Sequence, residues 1–128
     1  MKLLLDTHIL VWAALGTLPK EAVPYIAATD NDLLFSPASI WEIVIKKSLG
    51  RPDFEIDPLA LYRGCLDNGY ICIDISVDHV LNVGGLPPIH KDPFDRLLIA
   101  QAQAESATLL TADETVVRYP YKIIHIRH

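Results

Sequence analysis

Lys2-Leu3-Leu4-Leu5-Asp6-Thr7 is the stretch on which the reading of this chain turns. Three leucines with no polar alternation make a short strand buried on both faces. Such strands belong to parallel sheets, which helices cover on each side. The apolar run stops at a carboxylate and a hydroxyl. Open α/β sheets hold their ligands just beyond the carboxyl ends of strands, and Asp6 stands at such an end. Taken by itself, Asp6 has a second reading, as the N-cap of a helix beginning near Ile9.

Working outward, residues 8–15 read as a helix stopped by Gly16. A second helix is expected from Pro19 to about Thr29, with a bend or a late start at Pro24. Asp30-Asn31-Asp32 forms a turn into a strand at Leu33-Leu34-Phe35. Ser36-Pro37 then opens a third helix, serine as N-cap and proline at the first helical position. It runs to Gly50, with Lys46 and Lys47 in its last turns, where the helix dipole favours cations. A loop over 52–58 leads to a fourth helix, capped by Asp57-Pro58 and ending near Asn68-Gly69. Residues 70–73 read as a third strand, and Ser76 to Gly84-Gly85 as a fifth helix. After a loop over 86–91, Asp92-Pro93 caps a sixth helix through Glu105. Residues 107–110 form a fourth strand ending at Thr111-Ala112-Asp113. A short helical turn and a strand over 122–126 complete the chain. This alternation predicts an α/β fold in a single domain over residues 1–128. Its central sheet is mostly parallel, of four to five strands, with helices on both faces.

Composition narrows the class. A chain of 128 residues, 51% hydrophobic, can bury a core and is not a disordered segment. No apolar run approaches the roughly 18–20 residues needed to cross a membrane. The first residues lack the pattern of a secretory signal, so a cytoplasmic protein is expected. Cys65 and Cys72 form no CxxC pair and read as small buried apolar side chains. The net charge of −5 argues against a broad basic face for nucleic acid. Lys46, Lys47 and Arg51 are the one tight basic cluster, and acids gathered at a metal site would bias the total.

Several acids stand where solubility does not explain them. Asp113 follows an apolar strand as Asp6 does, at the same edge of a parallel sheet, or else opens the helical turn after it. Glu42 lies in the most apolar helix. A 100° step per residue groups Ala38, Trp41, Ile45 and Leu49 on one arc, with Glu42 at its margin. The competing reading is an exposed Glu42 paired with Lys46 one turn on. Asp92 is assigned to capping, and Asp95 to chemistry, because Leu98, Ile99 and Ala102 share its helical face. His90, in the preceding loop, has two readings, contact with substrate or, as for most lone loop histidines, a solvated residue. Two like charges about 4 Å apart repel by on the order of 4 kcal/mol at an effective dielectric near 20. Four carboxylates in one cleft therefore call for a cation or for bound protons. With oxygen donors only, a hard divalent ion is implied, Mg²⁺ or Mn²⁺ rather than zinc. Such a site suits phosphodiester hydrolysis.

Four segments then carry a family resemblance: Leu3-Leu4-Leu5-Asp6-Thr7-His8, Ser39-Ile40-Trp41-Glu42, Asp92-Pro93-Phe94-Asp95-Arg96-Leu97-Leu98-Ile99-Ala100 and Leu109-Leu110-Thr111-Ala112-Asp113. Each is weak alone. In this order, each with its acid, they resemble the signature segments of PIN domains, most closely the VapC-type toxins of toxin–antitoxin pairs. The resemblance implies a PIN-like three-layer α/β/α sandwich and Mg²⁺-dependent cleavage of RNA, with Mn²⁺ as a substitute. It implies a target among translation RNAs such as tRNA. A cognate antitoxin that enters the acidic cleft and a homodimer are implied as partners. On these positions Asp6, Glu42, Asp95 and Asp113 take the acidic places. Asp6, Asp95 and Asp113 are the expected metal ligands, and Glu42 ligates or orients the attacking water. Thr7 and Thr111 match hydroxyl positions, Thr111 as a supporting group. The interval to Asp113 favours Asp95 over Asp92 as the third acid. Other readings are a non-toxin PIN nuclease in RNA processing, a regulatory α/β domain that binds a divalent ion without cleaving RNA, and a binding scaffold whose acids are caps. The receiver-like version of the second is weakened because Lys122 begins its strand rather than ending it. Ile9, Leu10, Trp12, Val23, Tyr25 and Ile26 are open to use in an interface or in the core.

Overall fold

The structure is a computed structural model and describes residues 1–128. Five strands form one sheet: β1 (Lys2–Leu5), β2 (Asp32–Phe35), β3 (Ile71–Cys72), β4 (Thr108–Thr111) and β5 (Ile123–His125). Their order is β3-β2-β1-β4-β5, and every pairing is parallel. The leucine strand is the middle one. Leu4 stands in register with Leu34 on one side and Leu109 on the other.

The pleat sends alternate residues to opposite faces. Leu3 and Leu5, with Leu33, Phe35 and Leu110, enter one core. There they meet Ile9, Leu10 and Val11 of α1 (Thr7–Leu15) and Leu61 and Cys65 of α4 (Pro58–Asp67). Leu4, Leu34 and Leu109 enter the other core, against Leu98, Ile99 and Ala102 of α6 (Pro93–Ala104). Leu3, Leu4 and Leu5 are all fully buried, each contributing about 1.5–3 kcal/mol of transfer free energy. The remaining helices are α2 (Val23–Ala27), α3 (Pro37–Ser48) and α5 (Val77–Val83). α3 serves both cores, Ala38 one and Ile43 the other.

Helix starts follow the capping chemistry. Ser36 Oγ accepts from Ala38 N, and Asp92 Oδ1 accepts from Phe94 N and Asp95 N. Gly16 ends α1 with φ of 71°, a left-handed conformation that favours glycine. α2 is shorter than expected, with Pro24 in its first turn, because proline suits a helix start and not an interior. β3 is shorter than 70–73, although Ile73 N still donates to Phe35 O at 2.8 Å.

One expectation is corrected. The inward arc of α3 is not Ala38, Trp41, Ile45 and Leu49. Ala38, Ser39, Glu42 and Ile43 are buried, while Trp41 is 61% exposed and Leu49 72%. The side of α3 that carries Ser39 and Glu42 turns inward to the cleft, and much of its apolar side, with Trp41 and Val44, is left facing out. Ile9 and Leu10 are core residues, whereas Val23 is exposed. No helix is long and apolar enough to cross a membrane. Cys65 is buried and Cys72 half-buried, both as free thiols; burial pushes the Cys65 thiol up to about 11, which keeps it inert.

The strand order places a crevice. From β1 the chain builds β2 and β3 on one side, then crosses to build β4 and β5 on the other. The carboxyl ends of β1 and β4 therefore flank a topological switch point, where open sheets bind ligands.

Candidate active site

A cleft of about 260 Å³ opens at that switch point. Asp6, Glu42, Asp92, Asp95 and Asp113 line it, together with Thr7, Lys46, Ala112 and the rings of His8, Trp12 and His128. The four acids singled out in the sequence thus share one cavity, and Asp92 joins them. A larger cavity between α6 and β5, about 390 Å³ and lined by Ile99, Ala102, Leu109, Tyr121 and Ile123, contains no acid.

Asp6 follows β1 directly, and only 6% of it is exposed. Its Oδ1 accepts from Ile9 N at 3.0 Å, so it does cap α1, and its Oδ2 accepts from the Thr111 hydroxyl. Capping and a place in the cleft are compatible, because one carboxylate has lone pairs for both. Burial raises the Asp6 carboxyl above its usual range; the Thr111 and Ile9 hydrogen bonds oppose this, and Asp113 adds to it. Thr111 ties two acids together. Its hydroxyl donates to Asp6 and accepts from Asp113 N at 3.1 Å.

Glu42 comes from the inner face of α3 and is 4% exposed. The Thr7 hydroxyl donates to its Oε1 at 2.6 Å and lies 3.0 Å from Ser39 Oγ. Lys46, one turn along, pairs with Oε2. The helical ion pair weighed from the sequence exists, but inside the cleft rather than at the surface.

Asp95 lies in the first turn of α6, and Asp92 beside it is the cap. Burial and then the neighbouring Asp92 charge push the Asp95 carboxyl up to about 7. A hydrogen bond with His90 opposes the shift, and Asp113 and Asp6 add to it. Asp113 is exposed at the rim. Its Oδ1 accepts from Thr115 N at 2.7 Å and Val116 N at 3.1 Å, so it also opens the short 3-10 turn after β4.

His90 is not a free loop residue. Its Nε2 lies 3.1 Å from Asp95 Oδ2 and its Nδ1 2.8 Å from the Tyr119 hydroxyl. The signal for it was position, since residue 90 lies in the loop that feeds α6. His8, quoted in the first signature segment without a role, and His128, not singled out in the sequence, border the cleft. His8 turns to Asp53, with Nε2 3.3 Å from Oδ2.

The donor set fits a hard divalent cation in kind: carboxylate oxygens, where burial first and the neighbouring acids second raise the affinity of Asp95 for a proton. Their spacing is more open. No three His, Cys, Asp or Glu side chains stand close enough together to hold an ion as they are. Each acid instead has its own partner: Thr111 on Asp6, Lys46 on Glu42, His90 on Asp95 and the Thr115 amide on Asp113.

Comparison with known proteins agrees with the fold. No curated protein sequence matches this one. The VapBC2 complex of Rickettsia felis, bound to a DNA fragment from its promoter, contains a chain with TM-score 0.75 and 21% identity; the match covers 98% of this chain and 99% of that one. DNA-bound VapBC of Salmonella typhimurium contains a chain with TM-score 0.68 and 18% identity, over 98% of both chains. VapC20 of Mycobacterium tuberculosis, a toxin that cleaves the sarcin–ricin loop, gives TM-score 0.66 and 14% identity over 98% of this chain and 99% of that one. At these identities the structures share a fold. The family model for the PIN domain matches residues 3–121. With that match running through all four acidic segments, this chain belongs to the PIN domain family.

Proposed function

We propose that residues 1–128 act as one PIN domain, a metal-dependent endoribonuclease and the toxin of a toxin–antitoxin pair. One observation carries the reading: acids from β1, α3, α6 and the end of β4 line a single cleft at the sheet's switch point. Asp6, Asp95 and Asp113 would hold Mg²⁺, or Mn²⁺ in its place, with Glu42 ligating or orienting the attacking water. The bound ion supplies Lewis acidity toward the phosphate and eases deprotonation of water. Thr111 holds Asp6 and the backbone of Asp113 in mutual register. Thr7 aims Glu42, and Lys46 balances its charge beside an anionic substrate.

The target proposed is RNA of the translation apparatus, which places the protein in the cytoplasm. The toxin–antitoxin neighbours support a cognate antitoxin as partner. A homodimer is also proposed, and the exposed apolar residues of α3 and α5, among them Trp41, Val44, Val77, Val80 and Leu81, are the surfaces open to it.

The test is cleavage of RNA by wild type and by Asp6→Asn in Mg²⁺ and in Mn²⁺. Withdrawing several kcal/mol of charge stabilisation, at about 1.4 kcal/mol per tenfold, should slow Asp6→Asn by at least about a hundredfold. Wild type that cleaves no RNA with either ion, or Asp6→Asn that cleaves as fast, sinks the reading.

A further inference from the structure

One polar chain runs behind the cleft and ends on one of its acids. Arg96 follows Asp95 on α6, and its guanidinium turns away from the acids. Nη1 donates to Pro87 O at 2.8 Å and to the Tyr119 hydroxyl at 2.8 Å; Nη2 donates to Val83 O at 3.2 Å. Arg96 makes no ion pair with a carboxylate; main-chain carbonyls and one phenol take its hydrogen bonds. It thereby pins the loop that carries His90 to the start of α6.

The directions of these bonds follow from the donor inventory. A guanidinium only donates, so the Tyr119 oxygen must accept from Arg96. Tyr119 is 2% exposed, so its own proton needs a partner inside the protein. The other polar atom bonded to this oxygen is His90 Nδ1, at 2.8 Å. With Nδ1 accepting, the proton of a neutral imidazole sits on Nε2. That nitrogen faces Asp95 Oδ2 at 3.1 Å and donates to it. The Tyr119 ring also packs edge-on to His90, with centroids 5.4 Å apart and planes at 67°, which holds the imidazole plane.

We propose that Arg96, Tyr119 and His90 form a positioning relay. The relay fixes the Nε2–H tautomer of His90, locks Asp95 Oδ2, and leaves Oδ1 of that carboxylate as the oxygen presented to the cleft. His90, Tyr119 and Arg96 are positioning residues. Tyr119 and Arg96 do not line the cleft, and they act on Asp95 through the ring. Successive hydrogen bonds that begin at a cation polarise one another, which strengthens the last of them. The importance of the relay for catalysis rests on the role of Asp95 proposed above; its existence does not.

The experiment separates the two. In metal-free wild type, long-range ¹⁵N–¹H correlation spectra should show the His90 ring protonated on Nε2 and bare on Nδ1. Tyr119→Phe, which keeps the ring and deletes the hydroxyl, should lose this single-tautomer signature. Its affinity for Mn²⁺, read by calorimetry, should fall about 10–100-fold, as removal of partners behind a metal ligand commonly does. His90→Gln, whose amide nitrogen can stand where Nε2 stands, should keep most of the affinity; His90→Leu should lose it. These two variants decide the matter if Tyr119→Phe does not fold. A wild-type ring protonated on Nδ1 overturns the proposal. So does an unchanged tautomer in Tyr119→Phe, or equal Mn²⁺ affinity for His90→Gln and His90→Leu. Wild type with the expected tautomer and Mn²⁺ pattern that cleaves no RNA overturns the nuclease reading and supports the relay.

Discussion

Two helices each bring a buried acid to the cleft, and they balance its charge in different ways. On α3, Glu42 has a cation from its own helix, Lys46, and a short bond from the Thr7 hydroxyl. On α6, Asp95 has an acid beside it, Asp92, and a hydrogen bond from a histidine as its compensation. Glu42 therefore belongs to a closed pair. Asp95 stands beside Asp92 with no cation of its own helix paired to it, and burial first, then the Asp92 charge, raises its carboxyl to about 7. A carboxylate made costly by its neighbours is one that gains most when a proton or a cation arrives. The comparison teaches that an acidic cleft is not uniformly strained. One side stands ready without a ligand, and the other waits for one.

Neutralising the two acids should move stability in opposite directions. The larger effect belongs to Asp95→Asn, which keeps an oxygen for His90 Nε2–H and removes the repelled charge. The folded-state pKa of Asp95 lies above its unfolded value, so the stability it contributes is present below about pH 4 and lost as pH rises through about 7. In a chelator, wild type should melt several degrees lower at about pH 8 than at about pH 5, on a scale of roughly 4 °C per kcal/mol. Asp95→Asn should flatten that slope and melt higher than wild type at about pH 8. A steeper slope in the variant, or a lower melting temperature there, breaks the comparison.

Glu42→Gln comes next in size and runs the other way. It strands Lys46 against a half-buried wall and should cost about 1–2 kcal/mol in urea denaturation. An increase in stability would show that both acids are strained alike. The smallest effect is expected from Trp41→Ala, on the outer side of α3. Trp41 touches Phe94 edge-on but is largely exposed, so the change should stay within about 0.5 kcal/mol. A loss of several kcal/mol by the same denaturation would restore the inward arc that the helical wheel suggested.

Much of the fold was legible because its signals are local. Leu3-Leu4-Leu5 alternates between two cores, and no other use of three adjacent leucines ahead of Asp6 matches a sheet covered on both sides. Ser36-Pro37, Asp57-Pro58 and Asp92-Pro93 mark helix starts, since a capping oxygen and a fixed φ act within a few residues. Asp6, Glu42, Asp95 and Asp113 were also legible as a set. The face of α3 was not, because its polar side, with Ser39 and Glu42, turns inward to the cleft while Trp41 and Val44 face out, the reverse of the usual apolar-inward rule.

The sequence by itself determined the strand and helix order, the helix caps and the identity of the four acids. Only the tertiary structure decided what each acid leans on. Thr111 on Asp6, Tyr119 on His90 and Arg96 on the loop before α6 are pairings across 105, 29 and 10 positions at their widest. Capping and helical periodicity act over one or two turns and can be read along the chain. Charge balance in a cleft depends on distance in space, which parallel crossovers set by bringing strand ends together from far apart in sequence.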